Sequence, residues 1–580
     1  MQIGEVEKLY PSAKTLVKEK VASRIHAQDA SLYSFSEEAH QCAKEYMGWT
    51  DLASNPPVPL KDINNFADAV VESGICMVVL IGQGGSTQAP MTLTKYNKVN
   101  SDRVKFRTLD SDSPVRLRAL LAEANLEKTL VIVSSKSGGT IEPRLIFQAL
   151  RKEFEDKLGK EKAVKHFVAI TDPGSALEKV AHEEGWLASF PGKPSIGGRF
   201  SALSVFGLLP AALVGIDIEE LIDHAVEAER HCSEDAIDNP AIGLAAFLYD
   251  NYQAGRDKFS FFTPKRGRVL GLWIEQLVAE STGKEGKGIL PNIEIDALLA
   301  SHDTGDRTAI VYQTQTDLWD ERKNFEMSLA YIDSSIPRVN YKIDNVAELA
   351  EHFVMWEYAT AMCGYLMQVC PFDQPDVASA KAVVLEILHE DRLKPDFVEE
   401  YLGPIKTGEI EISVASCFPQ ATDLKSSLCA LLDSIKQGDY FALNAFLPYT
   451  GEGRREALES IRNDIGDKRR VVSCLEVGPR YLHSTGQLQK GGPNTGVFLI
   501  LSADELKDIP LGNEAASLGA LAKAQAAGDM KVLSERGRRC VHIHLPDNSG
   551  VTLRALADFI LNILEELEHE KALEELTQSE

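Results

Sequence analysis

A glutamate that follows an apolar, helix-spaced segment is well suited to acid–base chemistry. Apolar residues recur at helical spacing from Leu270 to Val278, which predicts a helix with one buried face. Glu280 follows on the flank of that face, and Gly283 is a residue type at which helices commonly end. The helix dipole and partial burial both disfavour a charged carboxylate there, which suits a general base. Considered alone, the segment is explained more simply by a solvated glutamate at a fraying helix end.

Two loops combine glycine and hydroxyl residues directly after short apolar runs. The runs at residues 77–81 and 130–133 predict buried parallel strands, and they lead into GQGGST at residues 82–87 and SSKSGGT at residues 134–140. Glycines let the backbone approach a ligand, and free N–H groups at a helix start attract phosphate. Lys136 adds a positive charge. A tight turn explains either loop alone, but two such loops in one sheet favour a phosphate site.

Two further cations lie in segments that could contribute to the same site. Arg199 follows two glycines, and its guanidinium could stabilise a developing oxyanion if this loop folds over the site. Lys381 lies in a segment where Asp376 could cap a helix, and a helix start disfavours the lysine's charge, which helps proton transfer. Taken alone, either residue could be an ordinary surface cation.

Alternation of short strands and helices predicts an α/β fold with doubly wound parallel sheets, whose ligands bind at the strand carboxyl ends. Further strands are predicted at residues 167–170, 258–263, 308–314, 496–501 and 540–545. We expect a helical N-terminal arm (1–60), a first domain (61–230) and a second domain with a C-terminal extension (231–580). The two α/β units have a similar layout, which suggests a loose two-fold repetition.

Composition narrows the classes of protein to consider. The 580 residues carry a net charge of −25, so a nucleic-acid binder with a basic surface is not expected. The nine cysteines form no C-x-x-C pair, and no histidine, cysteine and carboxylate cluster has ligand spacing, so we expect a reduced compartment, no metal and no organic cofactor. The sequence begins without a signal peptide and lacks a run of roughly 18 apolar residues, which predicts a cytoplasmic protein.

Five motifs, in order along nearly the whole chain, resemble the glucose-6-phosphate isomerase family, which is built from two sugar-isomerase (SIS) domains. They are IGQGGS at 81–86, SSKSGGTIEP at 134–143, GGRFSALSVFGLLP at 197–210, ESTGKEGKG at 280–288 and PFDQPDVASAK at 371–381. The segment GPRYLHSTGQLQKGGPNTG at 478–496 is most similar to the isomerase half of bifunctional transaldolase/isomerase fusions. No barrel-length segment precedes it, so we do not expect transaldolase activity.

The resemblance implies an aldose–ketose isomerase that interconverts glucose 6-phosphate and fructose 6-phosphate through a cis-enediol, without a cofactor, as a homodimer. It assigns a role to each matching residue. These are Glu280 as base, Arg199 for the enediolate, Gly85 and Ser86 for the sugar, Ser135, Lys136, Ser137 and Thr140 for the phosphate, and Gln374 and Lys381 to complete the site.

Two positions depart from the family pattern. Gly139 stands where a threonine is usual, so one phosphate donor is missing. The ring-opening histidine precedes the lysine in compact bacterial relatives, whereas the matching text here surrounds His483, beyond Lys381. His302 has the usual spacing after Glu280 but lacks the motif. We favour His483, which implies a rearranged element order in the second domain.

Two alternatives remain open from the sequence. Gly82-x-Gly84 after a strand is half a dinucleotide-binding fingerprint, and Asp110 could bind a ribose, but Thr87 occupies the third glycine position. An oxidoreductase is therefore a weak alternative. A non-catalytic sugar-phosphate sensor is the other, since SIS domains also serve in regulators. Such a sensor would not need Glu280, Arg199 and Lys381 together, which favours the isomerase.

Overall fold

The computed structural model describes residues 10–96, 103–294, 297–314, 319–377, 383–384, 387–388, 394–511 and 516–579, and their strands form three sheets. The strands are β1 Met77–Ile81, β2 Lys105–Leu109, β3 Thr129–Ser134, β4 Phe167–Thr171, β5 Ala188–Pro191, β6 Lys258–Phe262, β7 Leu290–Ile293, β8 Arg307–Thr314, β9 Arg338–Ile343, β10 Phe397–Leu402, β11 Ile405–Val414, β12 Tyr440–Phe446, β13 Val472–Val477, β14 Gly496–Ala503 and β15 Arg539–Leu545. The α/β prediction with parallel sheets is confirmed.

The α-helices within the described residues pack around these sheets. They are Ser12–Lys18, Val21–His26, Glu37–Tyr46, Leu60–Glu72, Gly85–Tyr96, Pro114–Glu123, Ile141–Leu158, Lys160–Ala163, Ala176–Glu183, Val205–Leu213, Ile218–Cys232, Pro240–Gln253, Arg268–Thr282, Trp319–Ser328, Leu349–Met367, Leu424–Asp433, Arg454–Arg469, Gly486–Gly491, Leu518–Glu535 and Gly550–Ser579. No helix of the described ranges combines the length and the apolar character that a bilayer crossing requires.

The first and second sheets are entirely parallel. The first has the order β2-β1-β3-β4-β5, and the second has the order β7-β6-β8-β9. All five residues of β1 are buried, as expected for a strand with helices on both faces. Because every strand of a sheet points the same way, the loops that follow β1, β3 and β4 meet at one edge.

The third sheet is mixed, with the order β10-β11-β15-β14-β12-β13. Strands β12 to β15 are parallel to one another, whereas the β10–β11 hairpin is added antiparallel at the β15 edge. Residues 231–580, predicted as one domain with an extension, thus contain two of the three sheets. Lys258 Nζ donates to Gly438 O at 2.8 Å and so ties the second sheet to the third.

The N-terminal helices cover the largest core. Leu16, Val21 and Ile25 share a hydrophobic cluster with residues of the helix Leu349–Met367. Tyr33, in the following 3-10 turn, is buried, and its hydroxyl donates to Ala361 O at 3.0 Å. The first helices are therefore held on another part of the chain by both apolar and polar contacts.

The helix Arg268–Thr282 lies between two cores. The predicted apolar face, from Leu270 to Val278, is buried in the largest cluster. The sequence predicted burial of this face and partial burial of Glu280; in the structure Glu275, Gln276 and Ala279 are buried as well, and Glu280 is buried rather than half-exposed. The reason is a second contact. A Cβ on Gly283 would lie 2.5 Å from Leu488 Cα, so only glycine lets the helix Gly486–Gly491 approach so closely.

Candidate active site

The loops at the carboxyl edge of the first sheet and the end of the helix Arg268–Thr282 enclose a pocket of about 580 Å³. Ten of the predicted site residues line it: Gly85, Ser86, Ser135, Lys136, Ser137, Thr140, Arg199, Glu280, Gln374 and His483. These residues come from segments that are far apart in the chain, and the fold brings them together. Lys381 lies outside the described residues.

The loop after β3 has the geometry of an anion-binding turn. Gly138 adopts φ +67°, where a Cβ would also meet Leu177 N at 2.9 Å, so glycine is required on both counts. Thr140 is the N-cap residue of the helix Ile141–Leu158, without a capping hydrogen bond from its side chain, and the first N–H groups and the dipole of this helix end beside the pocket. The Ser135 hydroxyl lies 3.5 Å from that of Thr140, and the Ser137 hydroxyl accepts from Gly139 N at 3.3 Å. Hydroxyls and backbone donors therefore gather at one end of the pocket.

Lys136 does not offer a free charge to this loop. Its ammonium pairs with the Asp172 carboxylate and also donates to Pro194 O at 3.1 Å. Sequence reasoning missed Asp172, although the residue follows β4 at the same sheet edge. A ligand at this end therefore meets a lysine whose positive charge is already balanced by a carboxylate.

Close backbone contact joins the loop after β1 to the arginine loop. A Cβ on Gly85 would lie 1.9 Å from Gly198 O, a distance that no side chain tolerates. Gly84 adopts φ +54° and packs under Gln276 and His483. The glycines predicted to admit a ligand thus also admit neighbouring loops, and this packing defines the wall of the pocket.

Arg199 is almost fully buried, and its guanidinium is held by acceptors on several sides. Nε donates to Ser281 Oγ at 2.8 Å, and Nη1 donates to Gln374 Oε1 at 3.0 Å. Nη2 donates to the carbonyls of Pro371 and Asp373 at 2.6 and 2.9 Å. The loop that carries Gln374 is thereby fixed to the arginine, whose cationic face remains next to the pocket.

Glu280 faces this arginine. Its Oε2 lies 3.5 Å from Arg199 Nη1 and accepts from Gln276 Nε2 at 3.2 Å. Gln276 is one helical turn earlier on the same face and also lines the pocket, so it is a site residue that sequence reasoning missed. A buried carboxylate, held by an amide and facing a guanidinium, can exchange a proton with a ligand while the cation balances the resulting negative charge.

His483 approaches the pocket from the third sheet. It ends the 3-10 turn Arg480–His483, and its Nε2 lies 3.2 Å from Glu142 Oε1. Glu142, in the first turn of the helix Ile141–Leu158, is buried and was also missed. The signal for it was present in the motif SSKSGGTIEP, whose acidic residue lies inside a helix start.

His302 lies elsewhere. It lines a separate pocket with Arg307, Lys468 and Glu568, and the Glu280 pocket does not include it. Of the two candidate histidines, the structure brings only His483 to Glu280.

Asp110, the ribose ligand of the oxidoreductase alternative, already interacts with two arginines. Arg116 Nη1 lies 2.8 Å from one carboxylate oxygen, and Arg480 Nη1 lies 3.8 Å from the other. Burial opposes ionisation, but these two guanidinium groups leave the pKa of Asp110 below its usual value. A carboxylate committed to two arginines is a poor ribose ligand, so the geometry does not favour this alternative.

Three potential metal ligands cluster beside the pocket. Among the described residues, ligand atoms of Cys42, Cys370 and Asp373 lie within 4.8 Å of one another. However, the buried Lys284 ammonium donates to Asp373 Oδ1 at 2.6 Å. An ammonium in contact with one of the three ligands disfavours a divalent cation there.

The fold and the pocket define an α/β protein with acid–base groups at the carboxyl ends of its parallel strands. A family model described as phosphoglucose isomerase matches residues 67–311. A glucose-6-phosphate isomerase of Parabacteroides distasonis is 31% identical over 432 residues, which cover 65% of this chain and 94% of the relative. Another, of Mycoplasmopsis pulmonis, is 30% identical over 399 residues, which cover 60% and 91%.

A solved structure agrees at the level of the fold. The crystal structure of a glucose-6-phosphate isomerase from Chlamydia trachomatis matches with a TM-score of 0.52 and 19% identity, covering 67% of this chain and 86% of that one. The relative from Parabacteroides distasonis, 31% identical and covered over 94% of its length, shows that the chain belongs to the phosphoglucose isomerase family. The family resemblance inferred from the motifs is confirmed.

Proposed function

We propose that this protein interconverts glucose 6-phosphate and fructose 6-phosphate. The observation that carries this proposal is one pocket in which Glu280 faces Arg199, while the loop after β3 offers anion-binding groups and His483 contacts Glu142. The sequence relatives named above are glucose-6-phosphate isomerases, which favours this pair of sugars.

The phosphate would bind at the start of the helix Ile141–Leu158, with donors from Ser135, Ser137 and Thr140. Ser86 and the backbone at Gly85 would contact the sugar. Anchoring the phosphate far from the reacting carbons holds the open chain in a reactive geometry and lowers the entropic cost of the reaction. The paired Lys136 would contribute less than a free lysine.

Ring opening would come first. The C1 hydroxyl of the cyclic sugar loses a proton and the ring oxygen gains one as the C1–O5 bond breaks. His483, in contact with Glu142, would exchange a proton with the sugar, and Lys381 is proposed as its partner. General acid–base transfer of this kind contributes typically about 10²–10⁴-fold.

Proton transfer between carbons would follow. Glu280 removes the proton from C2 of the open aldose, which generates an enediolate. A hydroxyl proton passes from O2 to O1, and Glu280 returns its proton to C1, which gives the ketose. The negative charge develops beside the Arg199 guanidinium, which is fixed by its hydrogen bonds and needs no reorganisation. Gln374, bonded to Arg199, would help to complete this wall of the pocket.

Other features of the proposal concern the whole protein. The homodimer, the cytoplasmic location and the domain boundaries at residues 60 and 230 stay predictions. No cofactor enters the proposed reaction.

A coupled assay of fructose 6-phosphate conversion to glucose 6-phosphate tests the proposal. The intact protein should be active, and Glu280→Gln should lower kcat by about 100-fold or more, because it removes the base and keeps the shape. Glu285→Gln, an exposed carboxylate in the following turn, is the matched control and should leave kcat unchanged. Phosphosugar binding without turnover in the intact protein would instead indicate the sensor. Full activity of the Glu280 variant would assign the base elsewhere.

A further inference from the structure

A buried glutamine of the third-sheet unit contacts the same carboxylate oxygen as the histidine. Gln525 lies in the helix Leu518–Glu535 and is 2% exposed. Its Nε2 donates to Glu142 Oε1 at 2.9 Å, and His483 Nε2 lies 3.2 Å from that same oxygen. One oxygen of Glu142 is therefore shared between an amide and an imidazole.

The chemistry of these groups fixes their orientation. The amide nitrogen can only donate, so Glu142 Oε1 acts as an acceptor. The imidazole nitrogen facing that acceptor, Nε2, then carries the hydrogen. In the neutral ring, Nδ1 is therefore the nitrogen that can accept a proton. The Gln525 amide oxygen has no donor within the part of the chain that the structure describes, so the contact with Glu142 accounts for the polarity of this buried side chain.

The same helix also fixes the turn that carries His483. Asp529 follows Gln525 by four residues and so lies on the same helix face. Its Oδ2 accepts from the Tyr481 hydroxyl at 2.6 Å, and its Oδ1 pairs with the buried Lys490 ammonium. Tyr481 belongs to the turn Arg480–His483. One helix face thus contacts both a side chain of the turn that carries the histidine and the carboxylate that the histidine contacts.

We propose that Gln525 is a positioning residue for ring opening, an inference that rests on the proposed isomerase function. Gln525 does not line the Glu280 pocket, so it acts through Glu142. By donating to Oε1 it keeps this carboxylate turned toward His483 Nε2, and the ring is held in one orientation over the sugar. The step that depends on Gln525 is the opening of the cyclic sugar, whereas proton transfer by Glu280 is independent of it.

Gln525→Met tests this role, because methionine keeps the length and removes the donor. Two substrates separate the steps: fructose 6-phosphate, which is largely cyclic, and its 5-deoxy analogue, which lacks the oxygen that closes the ring. We expect kcat/KM for fructose 6-phosphate to fall about ten-fold or more, with deuterium uptake at C1 of the analogue unchanged. Lys523→Met, on the same helix and away from Glu142, is the matched control and should change neither rate.

Two further variants distinguish positioning from packing. Gln525→Glu should be worse than Gln525→Met, since its carboxylate would face that of Glu142. In the Glu142→Gln background, Gln525→Met should have little additional effect, because it acts through the missing carboxylate. Equal losses on both substrates, an additive double variant, or no loss at all in a folded Gln525→Met protein would overturn the proposal. An intact protein that fails to isomerise fructose 6-phosphate would instead overturn the proposed function.

Discussion

Individual residues of the pocket hold one another in place. Arg199, 2% exposed, is fixed by Ser281, Gln374 and two loop carbonyls. Because a preorganised cation costs no reorganisation when charge develops nearby, this rigidity is useful for stabilising an enediolate. The phosphate end is built differently: its lysine is balanced by Asp172, so hydroxyl and backbone donors matter more there than net charge.

Gly139 offers a test of those donors. A Cβ at this position would meet only Ser137 Oγ, at 3.8 Å, so a larger residue fits. Gly139→Thr adds a hydroxyl beside the proposed phosphate, and a hydrogen bond to a charged group contributes about 1.5–3 kcal/mol. We expect KM for fructose 6-phosphate to fall by about ten-fold, with kcat unchanged. Gly139→Val has the same shape without the hydroxyl and should give no gain. An equal effect of both variants would contradict the donor explanation.

At the scale of elements, the site depends on how closely loops and helix ends approach. The start of the helix Gly85–Tyr96 touches the backbone of the arginine loop at Gly198, and the end of the helix Arg268–Thr282 touches Leu488. Neither contact leaves room for a Cβ. The positions of Arg199 and Glu280 are therefore set by backbone packing as well as by hydrogen bonds.

Gly85→Ala should disturb this packing. Its Cβ would lie 1.9 Å from Gly198 O, so the arginine loop must move away from the helix start. We expect kcat/KM to fall by about 100-fold or more and the thermal midpoint to decrease. Gly243→Ala is the matched control, since a Cβ there meets nothing within 4 Å in the helix Pro240–Gln253. Activity of the Gly85 variant equal to that of the Gly243 variant would show that the two loops can separate without harm.

At the scale of the molecule, the third sheet completes a site whose other walls come from the first two-thirds of the chain. It supplies His483, and buried ionisable groups of the third sheet and of a neighbouring helix lie near the turn that carries this histidine. Glu476 of β13 and Glu275 of the helix Arg268–Thr282 are both buried, and Ser484 Oγ lies 3.3 Å from Glu275 Oε1. Burial raises the pKa of Glu476 to about 7, with Arg480 opposing the shift, and raises that of Glu275 well above its usual range.

These carboxyls should make stability depend on pH. A pKa of about 7 in the folded state, against roughly 4.3 when unfolded, means that the folded protein holds an extra proton between these values. The resulting stabilisation is complete below the unfolded pKa and is lost as pH rises through 7. We expect the free energy of unfolding, measured by urea denaturation, to fall between pH 5 and pH 8 in the intact protein. This fall should exceed that of Glu476→Gln by at most about 3 kcal/mol.

Glu456→Gln, at an exposed position of the helix Arg454–Arg469, is the control for this comparison and should follow the intact protein. Parallel profiles for the intact protein and Glu476→Gln would mean that the buried carboxyl does not titrate in this range. A steeper loss in the variant would reverse the sign and contradict the burial argument.

The sequence alone determined the local features of the site. Continuous apolar runs predicted β1 and β3, glycine and hydroxyl residues predicted the loops after them, and helical spacing predicted the helix that ends beyond Glu280. Such patterns are local because they reflect hydrogen bonding and burial of neighbours in the chain. Together with the family resemblance of the motifs, they named ten residues that the fold brings to one pocket.

Only the tertiary structure decided which groups meet across long separations. His483 and Glu142 are 341 residues apart and Gln525 and Glu142 are 383 apart, and no periodicity links such positions. The same applies to the pair of Lys136 and Asp172. His302 has the usual spacing after Glu280 in the sequence, but it lies outside the Glu280 pocket in the structure. Spacing along a chain fixes contacts within a helix or turn, whereas contacts between elements follow from sheet order and packing.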